Sequence, residues 1–198
     1  MNKSFTLYGC SDGIEEQAVV TEITIESLVE LYKKKEFSTL VECGQQFVKG
    51  NPSSAIAWNL LALGHRYSGN VPAALKIYED LLKLNPNNFL LSTNLGNLYM
   101  AIGQIAKAIK CFETAREKQP NHTPNLEALA IAYQDSGKNS EAIVNFKKVL
   151  EIDDTKESSR YHLARMLVRL KSYDEAIKHF EKTDFGLSKS HQLECFYY

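Results

Sequence analysis

Set against itself with an offset of 34 residues, this chain comes into register column after column. Ala74, Ala108, Ala142 and Ala176 form one column, Leu61, Leu95, Leu129 and Leu163 a second, and Tyr78, Phe112, Phe146 and Phe180 a third. Gly69, Gly103 and Gly137 recur at the same interval, as do Pro52, Pro86 and Pro120, and Ala62, Gly96, Ala130 and Ala164 make a column of small residues alone. A fixed period of about 20–50 residues marks a repeat architecture, in which no unit buries its apolar face alone and neighbours must stack. Such a stack is a quasi-one-dimensional superhelix with an extended concave surface.

Inside each period, apolar residues recur at three- and four-residue steps and breakers interrupt them twice, which predicts two helices per unit. In the stretch 89–122, Leu91, Leu95, Leu98 and Tyr99 mark one apolar face before Gly103, and Ala108, Ile109, Phe112 and Ala115 mark another before Pro120. Gly closes the first helix because it adopts the left-handed conformation cheaply. Pro stops the second and suits the opening of the next, where its missing N–H costs nothing. The small and aromatic columns belong together, since two helices approach closely only where one presents Gly or Ala to a bulky neighbour.

These residues closely resemble the tetratricopeptide repeat family, whose pattern is W-x2-L-G-x2-Y followed by Ala, Phe and Pro over about 34 residues. Trp58, Leu61 and Ala62 fit the opening of the unit at 55–88, with His65 in the place of Tyr. Leu95, Gly96 and Tyr99 fit the unit at 89–122, and Leu129, Ala130 and Tyr133 that at 123–156. The unit at 157–190 keeps Leu163, Ala164, Ala176 and Phe180 but has Leu167 for Tyr, Lys171 for Gly and Ser188 for Pro, and Asp154 replaces the Pro closing the third unit. Residues 21–54 fit as a degenerate first unit, in which Phe37, Phe47 and Pro52 hold their places while Leu28 and Leu40 stand where small residues belong. The resemblance implies an all-α fold, a right-handed superhelical solenoid of helix-turn-helix units.

At the amino end, residues 1–20 read as a tail or cap, partly ordered because Phe5, Leu7, Tyr8, Val19 and Val20 would otherwise be exposed. Residues 191–198 begin a further helix whose Leu193, Cys195, Phe196, Tyr197 and Tyr198 would leave an apolar face in water. That predicts a homo-oligomer pairing through 191–198, or a stretch packed back on the last repeat. The chain is also similar to the amino-terminal repeat arrays of larger bacterial proteins, which carry a sulfotransferase, glycosyltransferase or oxygenase module. An alternative to a free-standing scaffold is therefore the recognition or oligomerisation arm of such an enzyme.

Composition narrows the partners. A formal net charge of −1 lacks the basic excess that a phosphate backbone selects, so nucleic acid is not expected. No segment has the roughly 18–20 consecutive apolar residues of a membrane span. Asp12, Glu15 and Glu16 interrupt the stretch where a secretory signal would be apolar, which places the chain in the cytoplasm. Cys10, Cys43, Cys111 and Cys195 are scattered and read as reduced structural thiols. No phosphate-binding Gly loop, GxSxG elbow, HExxH pair or Cys/His cluster occurs, and no two of the five histidines stand four apart on one helix. The expectation is a non-enzymatic protein without cofactor or metal.

The family lines its concave groove with the first helix of each unit, and the resemblance carries that role onto Asn59 and Arg66, then Asn97, then Glu127 and Gln134, then Tyr161, Arg165 and Arg169. The implied partner is a peptide or protein segment, with Tyr161, Arg165 and Arg169 as anchors because aromatic and Arg side chains most often carry interface energy. The chaperone-tail clamp known in the family needs a Lys with its Asn, and Asn59 with Leu63 and Thr93 with Asn97 lack it. For the core, added volume at a close helix contact typically costs about 1–3 kcal/mol, so Ala108→Leu should lower the melting temperature, and an unchanged melt would contradict this register.

Overall fold

The computed structural model describes residues 23–183, so the tail at 1–20 and the stretch at 191–198 lie outside the described residues, with Cys10, Cys195 and His191. Apolar steps of three and four become helices throughout. The chain divides into two compact units, Met1–Pro86 and Asn87–Tyr198. In the first, α1 (Ile25–Lys33), α2 (Phe37–Gly50), α3 (Ala55–Tyr67) and α4 (Val71–Leu84) each pack on the next, and α1 also meets α3. In the second, α5 (Phe89–Ala101), α6 (Ile105–Lys118), α7 (Thr123–Asp135), α8 (Asn139–Ile152), α9 (Glu157–Arg169) and α10 (Tyr173–Glu181) do the same, and α5 also meets α7. The fold is all-α, its helices packing consecutively in pairs.

The breakers act at the pair ends. Pro52, Pro86 and Pro120 each stand two residues beyond the last residue of α2, α4 and α6, so they stop those helices as expected. They do not open the following ones. That task falls to caps: Ser54 accepts from the Ala57 N–H, and Asn88 from the N–H groups of Leu90 and Leu91. Prolines do open helices elsewhere, at Pro72 in α4 and Pro124 in α7, where the first turn has no N–H bond to lose. At Asp154, which replaces the third Pro, an electrostatic contact holds the turn. The buried Arg160 guanidinium reaches the Asp154 carboxylate at 2.7 Å and also bonds its carbonyl.

Inside each pair the turn is the same. Gly69, Gly103 and Gly137 have φ of +87°, +73° and +78°, and the residue after each returns its N–H to a carbonyl in the last turn of the preceding helix, as Gln104 does to Tyr99. This 6→1 closure is the Schellman arrangement. Lys35 and Lys171 hold the same place at φ 60° and 61°, with Glu36 bonding Leu31 and Ser172 bonding Leu167. Lys35 therefore lies past the end of α1 in a left-handed turn.

Core volume follows the paired columns. Phe112 and Gly96 are both buried, and a Cβ on Gly96 would lie 2.5 Å from a Phe112 ring carbon, closer than any real contact. In the first unit Leu28 and Leu40 occupy small-residue positions and are nonetheless buried. Leu40 packs against another glycine, since a Cβ on Gly64 would stand 3.2 Å from it, and Leu61 in turn faces Gly44, where a Cβ would stand 3.4 Å away. The free thiols fit this picture, since burial pushes the Cys111 thiol up to about 11 and Cys43 upward as well, which keeps both protonated.

A left-handed conformation costs a residue with a Cβ roughly 1–2 kcal/mol, part of which Gly gives back in the unfolded chain. Lys171→Gly should therefore stabilise by about 0.5–1 kcal/mol, a rise of roughly 1–4 °C for a chain of this size, and Gly137→Lys should do the reverse. Thermal melts of the two variants check the pair, and equal melting temperatures would contradict the turn assignment.

Candidate functional site

In the second unit, α9 presents Tyr161, Arg165 and Arg169 at four-residue spacing, which puts them along one stripe of the helix. Tyr161 is half-buried and meets Phe180 edge-on at 6.0 Å between centroids. The Arg165 guanidinium lies 5.7 Å from the centre of the Tyr161 ring, within cation–π range. Arg165 and Arg169 are exposed, and among the described residues neither pairs with Glu127 or Asp135, the partners a merely solvated face would supply. Arg160, one position before Tyr161, is by contrast buried and committed to Asp154.

The preceding helix pair contributes Glu127 and Gln134 from α7. Glu127 accepts a 2.6 Å bond from the Ser159 hydroxyl and stands 3.9 Å from the Lys156 ammonium. A recess of about 340 Å³ opens there, walled by Glu127, Ile131, Phe146 and the start of α9. Gln134 Oε1 lies 3.2 Å from His162 Nδ1, and the His162 ring stacks on Phe146 at 5.4 Å and 7°. These contacts bring Glu127, Gln134, Tyr161 and Arg165 onto neighbouring parts of α7 and α9. Asn97 is half-buried on α5. Thr93, a groove position by register, is instead buried, 3.1 Å from Asn125 Oδ1.

Asn59 and Arg66 belong to α3 of the first unit. The Tyr78 hydroxyl donates to Asn59 Oδ1 at 3.1 Å, and burial raises the Tyr78 phenol far above its ordinary range, so it stays a donor. Arg66 lies 5.2 Å over the Tyr67 ring, which stacks on Phe37 at 4.9 Å. One residue that sequence reasoning passed over is Asn125. Buried on α7, it donates to the Phe112 carbonyl at 2.9 Å and lies beside Thr93, tying α5, α6 and α7 together. The signal was available as a lone amide on the apolar face of a helix.

Helix pairs packed consecutively, each on the next, define a helical repeat protein. Models for the tetratricopeptide repeat and for subunit 3 of the anaphase-promoting complex, or cyclosome, match residues 66–130 and 101–183. The chain belongs to the tetratricopeptide repeat family, whose domains are ordinarily non-catalytic protein-binding modules. Cellulose synthase operon protein C of Pseudomonas fluorescens (strain SBW25) is 28% identical over 103 residues, which make up 52% of this chain and only 8% of that protein. Among solved structures, Pseudomonas aeruginosa PilF superposes with a TM-score of 0.74 at 18% identity, covering 79% of this chain and 72% of that one. MamA of Desulfovibrio magneticus RS-1 gives 0.70 at 19%, covering 79% and 89%. A thermophilic TPR protein of Thermus thermophilus gives 0.66 at 20%, covering 86% and 94%. These likenesses concern the fold. No helix of the described residues is long and apolar enough to cross a membrane.

Burial holds the pKa values of His65, His162 and His179 below the ordinary 6.5. The fold thus favours neutral imidazoles, and the unfolded chain takes up protons first as the pH falls. Their stability contribution is full above 6.5 and is lost as the pH drops below that value. Asp154 and Glu175, held low by Arg160 and Lys147, act in a separate window, since their contribution is present above about 4 and is lost below it. Melting temperature should accordingly be flat from pH 8 to 7 and decline between pH 6.5 and 5. His162→Gln should shallow that decline, and an unaltered slope would remove His162 from the account.

Proposed function

We propose that the chain is a non-catalytic scaffold that binds an extended protein segment across the first-helix faces, with Tyr161, Arg165 and Arg169 as the anchors. The observation that carries this reading is the pair of exposed guanidinium groups one turn apart, unneutralised by Glu127 or Asp135, beside a half-buried aromatic ring. Arg offers a planar fork of donors matched to a carboxylate, and its stack on Tyr161 pre-orders that fork. The ligand segment is therefore acidic where it meets α9, with an aromatic or aliphatic residue against Tyr161. Gln134 supplies an amide, and Glu127 with the hydroxyls of Ser158 and Ser159 makes a polar recess that suits a neutral or basic ligand residue. Asn97 extends the same face on α5, while Asn59 and Arg66 are the corresponding contacts of the first unit.

A fluorescein-labelled acidic peptide containing one Phe tests the reading by polarisation titration on the full chain. Arg165→Ala and Arg169→Ala should each weaken binding about tenfold, which corresponds to about 1.4 kcal/mol. Affinity should also fall as salt is raised, because the contacts are partly exposed ion pairs. An undiminished affinity in the double variant would refute the anchor assignment.

A further inference from the structure

The first unit contains an open cavity of about 620 Å³ lined by α2, α3 and α4, and its walls include Gln45, Trp58, His65 and Ala73. Its origin is visible by comparison with the second unit. There Tyr133 of α7 spans to the preceding helix α6 and donates to Glu113 at 2.5 Å, and burial together with that carboxylate pushes its phenol up to about 12. Two periods upstream, Tyr133 and Glu113 correspond to His65 and Gln45. The shorter imidazole leaves the gap open, and both residues line the cavity instead. A second filler is lost as well. Lys107 lies over the Tyr99 ring at 5.3 Å, and the residue one period before Lys107 is Ala73, also on the cavity wall. Relative to the repeat at 89–122, a shorter ring and a shorter side chain both border this space.

The lining is apolar below and cationic at the rim. Val48, Trp58, Leu61, Ile77 and Leu81 form the walls, and Leu84 stands 78% exposed at the edge. Lys76 and Lys83 both contact the single carboxylate of Asp80, at 3.3 and 2.8 Å, and Lys49 adds a third cation. Of these, Lys49 and Lys76 line the cavity with Asp80 as the one lining carboxylate, which leaves a net positive edge. A slot between two helices with an apolar floor receives an amphipathic helix through residues spaced three and four apart. Its volume lies within the range of about 300–1,000 Å³ typical of binding pockets.

We propose that this cavity is a second docking site, separate from the α9 face, and that it takes the apolar side of an acidic amphipathic helix from a partner protein. Large apolar side chains of that helix fill the space that Tyr99 and Lys107 occupy in the repeat at 89–122, and its carboxylates face Lys49 and Lys76.

Trp58 is the only tryptophan in the chain and lines the cavity, so its emission reports occupancy directly. The probe is a tryptophan-free helical peptide of Leu and Glu in heptad order, titrated into the full chain, with a Leu and Lys counterpart as control. The acidic peptide should shift Trp58 emission to the blue in a saturable way, and the basic one should bind at least about tenfold more weakly, as like charges repel. The double variant His65→Tyr with Ala73→Lys introduces the residues of the repeat at 89–122 and should abolish the shift while retaining its helical circular dichroism. Lys49→Glu should weaken the acidic peptide without filling the cavity, and Arg165→Ala should leave the response unchanged, which separates this site from the α9 face. The proposal is overturned by the absence of saturation with the acidic peptide, or by an equal response from the His65→Tyr, Ala73→Lys variant. It is also overturned if Trp58 is already shielded from acrylamide before any peptide is added, which would mean that residues 1–22 or a second copy fill the cavity.

Discussion

The helix pair at 89–122 depends on an aromatic ring seated against a residue with almost no side chain. Gly96 and Phe112 show the contact at its tightest, with no room even for a Cβ between the ring and the facing helix. Burying such a ring is worth roughly 1.5–3 kcal/mol, and close packing makes the interior intolerant of volume changes in either direction. The contact also fixes the rotation of each helix about its own axis. Once Phe112 is against Gly96, Leu91, Leu95 and Leu98 face inward and Asn97 is carried toward the outside of α5. The same logic on α9, where Leu163 and Ala164 turn in, brings Tyr161, Arg165 and Arg169 out.

The first unit reaches the same density by other means. With Leu at positions 28 and 40, the void and the bulk exchange partners: Gly64 yields to Leu40 and Gly44 to Leu61. Small residues still face bulky ones there, although the column of small residues is not kept. Where volume is not restored, at His65 and Ala73, a cavity results. A repeat array thus tolerates a local departure in one of two ways, by compensation within the core or by leaving a space that something else must fill.

Three arginines of α9 show how burial divides one chemistry into different tasks. Arg160 is enclosed and its charge is met by Asp154, a carboxylate held below its usual range by that contact. It secures the turn that a proline secures elsewhere. Arg165 rests its guanidinium on Tyr161, and Arg169 stands in solvent, so only these two retain donors for a ligand.

The period, the helix pairs, the Gly turns and the core columns were legible in the sequence because each rests on local spacing and on the conformational limits of Gly and Pro. Sequence spacing also sufficed to place Tyr161, Arg165 and Arg169 along one stripe, since a helix repeats about every 3.6 residues. It did not reveal that Lys35 and Lys171 enter the left-handed region, because neither residue prefers it and the surrounding hydrogen bonds impose it. Nor did it reveal the Asn125 bond to the Phe112 carbonyl, the exchange of space between Leu40 and Gly64, or the opening beside Trp58. Those depend on which atoms of separate helices arrive at the same point, and a pattern read along one dimension carries no information on that. What the sequence determined by itself was the repeating helix pair and its apolar columns, because both rest on local spacing; the tertiary structure decided which facing residues meet, which, like Thr93, are consumed in structural bonds, and where the packing leaves room.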